Sequence, residues 1–200
     1  YTLSNPKTFV GTDLLLTCVP SIQDKYKNFG FKTERLSFAF DNRINQETTK
    51  RNLNDFLSFC GTISLDHEER LKYLIGLKGC IQTQYHIGNL DGVNGYFSKK
   101  LLYLIYKKNI NFFLEVHKLR KLNLGGVYGL EMFNVLANSF ITFNIHGDSV
   151  GDFAGNMRLF EATGVGTCLL TDWKSDLSLL FDPDNEVVTY KSVSEAKSKL

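Results

Sequence analysis

From residue 55 to the end of the chain, short apolar runs alternate with amphipathic stretches, and this alternation constrains the fold more than any other feature. The runs DFLSFCGT (55–62), IQTQYHIG (81–88), NINFFLEVH (109–117), FITFNIHG (140–147), TCLLTD (167–172) and EVVTYK (186–191) read as strands of the fully buried type. Between them, 66–79, 97–108, 130–139 and 156–164 carry helical spacing, SDLSLLF reads as a short helix and SVSEAKSKL as a closing one. Asp66 and Glu69 stand at capping-box spacing, and Leu71, Leu74, Ile75 and Leu77 form an apolar face that Gly79 ends. Strand–helix alternation of this kind predicts an α/β fold: a Rossmann-like parallel sheet of six strands with helices on both faces. Its ligand crevice would lie at the carboxyl ends of the strands.

The first 54 residues read differently. DLLLTC (13–18) is a strand, Pro20 opens a helix that Gly30 stops, and ERLSFAF (34–40) is a second strand. DNRINQETTKRN is polar and aperiodic, and marks a boundary. The expected organisation is a partial unit over 1–40, a linker over 41–54 and a main domain over 55–200.

Composition narrows the function. Twenty-three Lys and Arg against 21 Asp and Glu leave a net charge of +2, too balanced to argue for a nucleic-acid partner. No apolar run approaches the roughly 20 residues that cross a bilayer. Cys18, Cys60, Cys80 and Cys168 lie beside apolar residues without CxxC spacing, so buried free thiols in a reducing compartment are expected. The histidines show no metal-binding spacing, and no metal is expected. The chain has no signal-peptide pattern and begins without Met, which suggests a fragment located in the cytoplasm.

Loops after strands carry the candidate chemistry. GDFAG leads into a helix near Asn156, where N–H groups freed by Gly155 would form an anion site beside Met157. Arg158 lies in the first helical turn, where the helix dipole disfavours a cation; it faces either a bound anion or solvent. Glu161 could accept hydrogen bonds from ligand hydroxyls such as a ribose diol, or be an ordinary helical glutamate. Gly125, Gly126 and Gly129 let backbone approach a ligand, and Tyr128 could stack on a base or simply pack the loop. His146 and Asp148 end a strand, where either could meet substrate or serve structure alone; His67 and Arg70 could reach a phosphate or form a surface charge cluster. No P-loop and no GxSxG elbow is present, which disfavours those NTPase and hydrolase classes. The missing glycine fingerprint likewise disfavours a Rossmann oxidoreductase.

The stretch NMRLFEATGVGTCLLTD followed by DLSLLFDPDNEVVTYK resembles the C-terminal signature of GT-B glycosyltransferases. It is most similar to the CgeB-like (spore maturation protein) group, related to glycosyltransferase family 4. Arg158, Phe160, Glu161, Gly166, Thr171, Asp172, Leu177, Phe181, Pro183, Glu186, Val187, Val188 and Tyr190 match that group's pattern. VYGLEMFNVLANSFITFNIHGD and FCGTISLDHEERLKYL resemble its upstream blocks, and 13–41 resembles the exit from an N-terminal acceptor domain.

The resemblance implies the C-terminal, donor-binding half of a GT-B fold that takes a sugar from a nucleotide-diphosphate sugar and passes it to an unspecified acceptor. It implies ribose binding by Glu161, diphosphate or sugar contacts from Gly155, Asn156 and Met157, base contacts near Gly126 and Tyr128, and a ligand-side place for Thr62. Arg158 and His146 are the catalytic candidates, neutralising the leaving diphosphate without metal or other cofactor. The chain departs from family 4 at Phe153, eight positions before Glu161, where a second glutamate usually stands. The usual Arg and Lys after the first strand of the domain are also out of register, near Thr62, His67 and Arg70. Both departures motivate an alternative, a degenerate GT-B domain that binds or scaffolds without transferring sugar.

Overall fold

A computed structural model describes residues 5–49, 54–63, 68–88, 110–147 and 151–200 of the chain. Strands β3 (Asn54–Gly61), β4 (Thr83–Ile87), β5 (Ser139–Asn144), β6 (Cys168–Asp172) and β7 (Val188–Tyr190) form one sheet in the order β4-β3-β5-β6-β7. Every neighbouring pair is parallel. The expected α/β architecture with helices on both faces is present, with five strands among the described residues rather than the six expected.

The missing strand is a helix. NINFFLEVH was expected to extend the sheet, but Ile110–Arg120 is helical. Val116 and Leu119 are buried while Leu114, His117 and Lys118 are exposed, a period near 3.6 that the dense apolar run obscures. Beside the β4 edge runs the loop after this helix: Leu124 N–H donates to Tyr85 O (2.8 Å), and the Asn123 side chain bonds both Ile87 N–H and Ile87 O.

Among the described residues the α-helices are α1 (Pro20–Asn28), α2 (Ile44–Glu47), α3 (Glu68–Gly76), α4 (Ile110–Arg120), α5 (Gly129–Ala137), α6 (Met157–Gly164) and α7 (Val193–Ser198). SDLSLLF contains a 3-10 turn, Leu177–Leu179. The expected helix at 97–108, the Asp66 cap, His67 and Asp148 lie outside the described residues.

Strand alternation sends one side-chain set to each face. Leu57, Phe59, Tyr85, Ile87, Ile141, Phe143 and Leu170 pack with Leu71, Leu74 and Leu77 of the α3 segment, Val116 and Leu119 of α4, and Ala196 of α7. The opposite face meets α5 and α6 through Cys60, Met132, Leu136 and Val165, and through Leu159, Ala162 and Leu169. Each fully buried aliphatic or aromatic side chain contributes about 1.5–3 kcal/mol. This second face is also threaded by polar pairs: Ser58 Oγ to Thr142 Oγ1 (2.9 Å), and Asn144 Nδ2 to Thr171 Oγ1 (2.9 Å).

The first unit is a two-stranded parallel sheet of β1 (Leu15–Thr17) and β2 (Thr33–Arg35) joined through α1. β2 stops earlier than expected because the apolar residues after it serve other partners. Phe40 packs on Phe133 with ring centroids 6.0 Å apart and covers Gly164, where an added Cβ would stand 2.2 Å from Phe40 Cγ. The polar stretch over 41–54 includes α2 and is tethered. Asn45 Nδ2 donates to Gly164 O (3.0 Å), and Thr49 N–H donates to Asn134 Oδ1 (2.9 Å).

All four cysteines are free, but only Cys60 is buried; Cys18 is half-buried, and Cys80 and Cys168 are exposed, contrary to expectation. Sitting beside apolar residues in sequence did not bury them. Among the described residues no helix is long and apolar enough to cross a membrane.

Candidate functional site

After β3 the chain adds β4 on one side of it and later returns to place β5 on the other. The order reverses between β3 and β5, and a crevice opens outside the carboxyl ends of strands at such a point. Two arginines reach it. Arg70 of α3 donates through Nη1 to Thr62 O (2.8 Å) and through Nη2 to Ile145 O (3.0 Å), tying the ends of β3 and β5 together. Arg158 of α6 donates through Nη2 to Cys60 O (3.1 Å). Its Nη1 lies 2.9 Å from Glu161 Oε2 and 3.0 Å from Met132 Sδ.

Arg158 and Glu161 are therefore partners, one helical turn apart, with side chains only 13% and 16% exposed. Burial of the pair makes it tighter and less salt-screened than a surface bridge. A solvated surface role, which the sequence left open for both, does not describe them. The buried Cys60 thiol beneath them is pushed up to about 11, by burial first and with the two charges opposing one another.

α6 begins where the sequence placed it. Asn156 is extended and caps the helix, its Oδ1 accepting Arg158 N–H at 2.9 Å. Its Nδ2 donates to Asn144 Oδ1 (2.8 Å), which anchors the helix start to β5. Ala154 N–H is taken by Asp176 Oδ1 at 2.6 Å. The N–H groups of Gly155, Asn156 and Met157 donate to no group among the described residues. They stand at the positive end of an eight-residue helix.

His146, just past β5, is buried. Its Nδ1–H donates to Asp172 Oδ1 (2.7 Å), and the same oxygen accepts the His146 backbone N–H (3.0 Å). Nε2 is buried without a partner among the described residues. Burial alone would raise the Asp172 carboxyl, but the His146 hydrogen bonds and the nearby Lys174 ammonium outweigh it and hold the carboxyl below its usual range. Lys174 Nζ lies 3.4 Å from Asp172 Oδ2 and donates to Gly151 O (2.7 Å). A depressed folded value adds stability that is complete above the unfolded carboxyl's range, about pH 4, and is lost as pH falls through the folded value. Asp172→Asn is therefore expected to flatten the acid limb of the stability curve. Unfolding midpoints in urea, taken from pH 7 down to pH 2, check this; an unchanged acid limb would be the contrary result.

The glycine loop borders the other end of the crevice. Gly88 N–H donates to Gly61 O (3.1 Å), and Gly126 lies against Gly88 so closely that a Cβ on Gly126 would stand 2.4 Å from Gly88 Cα. His86 donates from Nδ1 to Gly125 O (3.2 Å), a carbonyl that can only accept, and burial lowers its pKa. Tyr128 is 71% exposed beside them, and Thr62 exposes its side chain while its carbonyl serves Arg70.

Thus Gly155, Asn156, Met157, Arg158 and Glu161 share the α6 start, His146 and Thr62 stand at neighbouring strand ends, and Gly126 and Tyr128 flank the β4 side. Asn144, Asp172 and Asp176 entered the sequence reading only as positions within the resembling blocks, with no role assigned to any of them. Asn144 carried a signal, being a polar residue inside the apolar run FITFNIHG. Asp176 opens the block DLSLLFDPDNEVVTYK, but its role stayed hidden because its partners Arg35 and Ala154 are distant in sequence.

The family model described as glycosyl transferase-like matches residues 99–200, a stretch containing α5, β5, α6, β6, β7 and α7. The chain belongs to this family. No curated protein matches the sequence. Among solved structures, AviGT4, a glycosyltransferase involved in avilamycin A biosynthesis, superposes with a TM-score of 0.59 at 14% identity, covering 94% of this chain and 54% of its own. HepE of Anabaena, solved with UDP-glucose, gives a TM-score of 0.60 at 12% identity, covering 100% of this chain and 57% of its own. At such identities the likeness is one of fold. The chain spans little more than half the length of these structures. Within the glycosyl transferase-like family match lie α6 with Arg158 and Glu161, the end of β5 with His146, and the Asp172 that holds it.

Proposed function

We propose that this chain is the donor-binding part of a GT-B glycosyltransferase of the CgeB-like group related to family 4, acting in the cytoplasm. In that reading 55–200 binds a nucleotide-diphosphate sugar, 41–54 links the units and 1–40 belongs to the acceptor-side domain. The observation that carries it is the α6 start. Three N–H groups that have no partner among the described residues stand at a helix N-terminus, with an oriented carboxylate one turn further along the same helix. Such backbone receives a diphosphate, and such a carboxylate accepts the hydroxyls of a ribose. The HepE structure was solved with UDP-glucose, which supports a ligand of this class.

The chemistry follows from charge. As the glycosidic bond to the diphosphate breaks, negative charge grows on the leaving phosphate while the sugar gains oxocarbenium character. The N–H groups of Gly155, Asn156 and Met157 meet that charge without reorganising. His146, held through Nδ1 by Asp172, offers Nε2 to the leaving group and donates a hydrogen bond when that nitrogen carries a proton. Arg158 acts on the same charge at longer range while keeping Glu161 oriented. The base lies along Gly126 and Tyr128, with Thr62 at the floor of the crevice. Neutralisation by backbone and side chains calls for no metal or other cofactor.

A second reading, a binding or scaffolding module without transfer activity, is favoured by Phe153. It stands where family 4 has a sugar-contacting glutamate.

The test is a thermal-shift and calorimetry screen of the chain against UDP, GDP, ADP, CMP and their common sugar conjugates, without metal and then with magnesium. Binding to the native state at about 100 times Kd adds roughly 2.7 kcal/mol. One nucleotide is expected to raise Tm selectively. No shift with any of them in a folded sample would overturn the donor-site reading and favour the scaffold.

A further inference from the structure

The free N–H groups at the α6 start are aimed from outside the helix. Asp176 enters the 3-10 turn Leu177–Leu179 and is 8% exposed, fixed by the fully buried Leu177 that follows it. One of its oxygens accepts Ala154 N–H at 2.6 Å. The other accepts Arg35 Nη2 at 2.8 Å. A carboxylate between an amide and a guanidinium makes two charge-assisted bonds, each about twice as strong as a neutral one. With Ala154 N–H consumed there, the next three N–H groups are left to face another partner.

Arg35 is the last residue of β2, in the other sheet. The same unit supplies Cys18, whose Sγ contacts Gly155 O at 3.9 Å. Cys18, Arg35 and Phe38 line a narrow cleft with Ala154, Gly155 and Phe160. The segment before α6 is thus sandwiched between its own domain and the first unit, and Asp176 is the charged joint between them.

We propose that Asp176 is a positioning residue for the anion-binding backbone of Gly155, Asn156 and Met157, and that Arg35 sets its orientation, so that the first unit and the donor loop move as one geared assembly. This role rests on the donor-site reading for its functional half; its structural half stands without a ligand. A rotation of the first unit that withdraws Arg35 loosens the carboxylate and, through Ala154, the donor loop.

The experiment uses the whole chain, unsubstituted and as Asp176→Ala, Asp176→Asn, Arg35→Met and the double variant Arg35→Met/Asp176→Ala. Hydrogen exchange without ligand should speed up about tenfold or more at the Ala154 amide, which Asp176 holds, in Asp176→Ala and Arg35→Met, while β5 amides keep their protection. Calorimetry with UDP and GDP should show affinity reduced about tenfold in both, partial rescue in Asp176→Asn, and a double variant no weaker than Asp176→Ala alone. Unchanged exchange at Ala154 would overturn the role. Binding that is lost in Glu161→Gln yet unchanged in Asp176→Ala would overturn this role alone. Absence of binding by the unsubstituted chain would overturn the donor-site reading and the functional half with it.

Discussion

Glu161→Gln is expected to leave the chain folded and to lower its affinity for the nucleotide that the screen identifies by a hundredfold or more. The amide is nearly isosteric and can still accept from Arg158 Nη1, so the contact that ties this turn of α6 together persists in weaker form. In the proposed donor site, what is lost is the charge that would accept two ribose hydroxyls at once, and charged acceptors bind about twice as strongly as neutral ones. Glu161→Ala is the less clean variant. It leaves Arg158, 13% exposed, with only Cys60 O and Met132 Sδ as partners among the described residues, and is expected to cost about 1–3 kcal/mol of stability as well. Calorimetry beside thermal unfolding separates the two effects. Full affinity in a folded Glu161→Gln protein would remove Glu161 from the site.

Phe143→Ala is expected to give the largest loss of stability, about 3–5 kcal/mol, lowering Tm by roughly 10 °C. Phe143 is 1% exposed near the carboxyl end of β5. It stacks on Tyr190 with centroids 5.3 Å apart and planes 13° from parallel, and its ring also meets Phe59 and Tyr73 at 6.3 Å. Rigid aromatic neighbours held by two strands and a helix relax little into the void, so the cavity cost adds to the transfer cost. The loss reaches the site through β5. Asn144, the next residue, holds Asn156 at the α6 cap and accepts the Tyr190 hydroxyl on its carbonyl at 2.6 Å. Nucleotide affinity should therefore fall along with Tm. A Tm drop under about 3 °C would show that the aromatic cluster is not the core of this sheet.

The parts of the fold legible beforehand were those with local causes. The α6 boundary was readable because Asn156 carries its own cap chemistry, and the β3, β5 and β6 runs because strands buried on both faces need dense apolar sequence. The same density misled at Ile110–Arg120, where apolar residues fill both a strand pattern and a helix pattern. It misled again after β2, where Phe40 is apolar for the sake of Phe133 and Gly164 rather than for a strand ladder.

The sequence by itself determined an α/β chain, a helix that starts at Asn156 with Arg158 and Glu161 on it, and a histidine at a strand end. Those follow from periodicity, capping and spacing, which act within a few residues. The tertiary structure decided what each group touches. It paired His146 with Asp172 across 26 positions and Arg35 with Asp176 across 141, and it brought Arg158 to the carbonyl of Cys60 across 98. Such partners are set by which strands pair and on which side the chain returns, and no local spacing in the sequence encodes them.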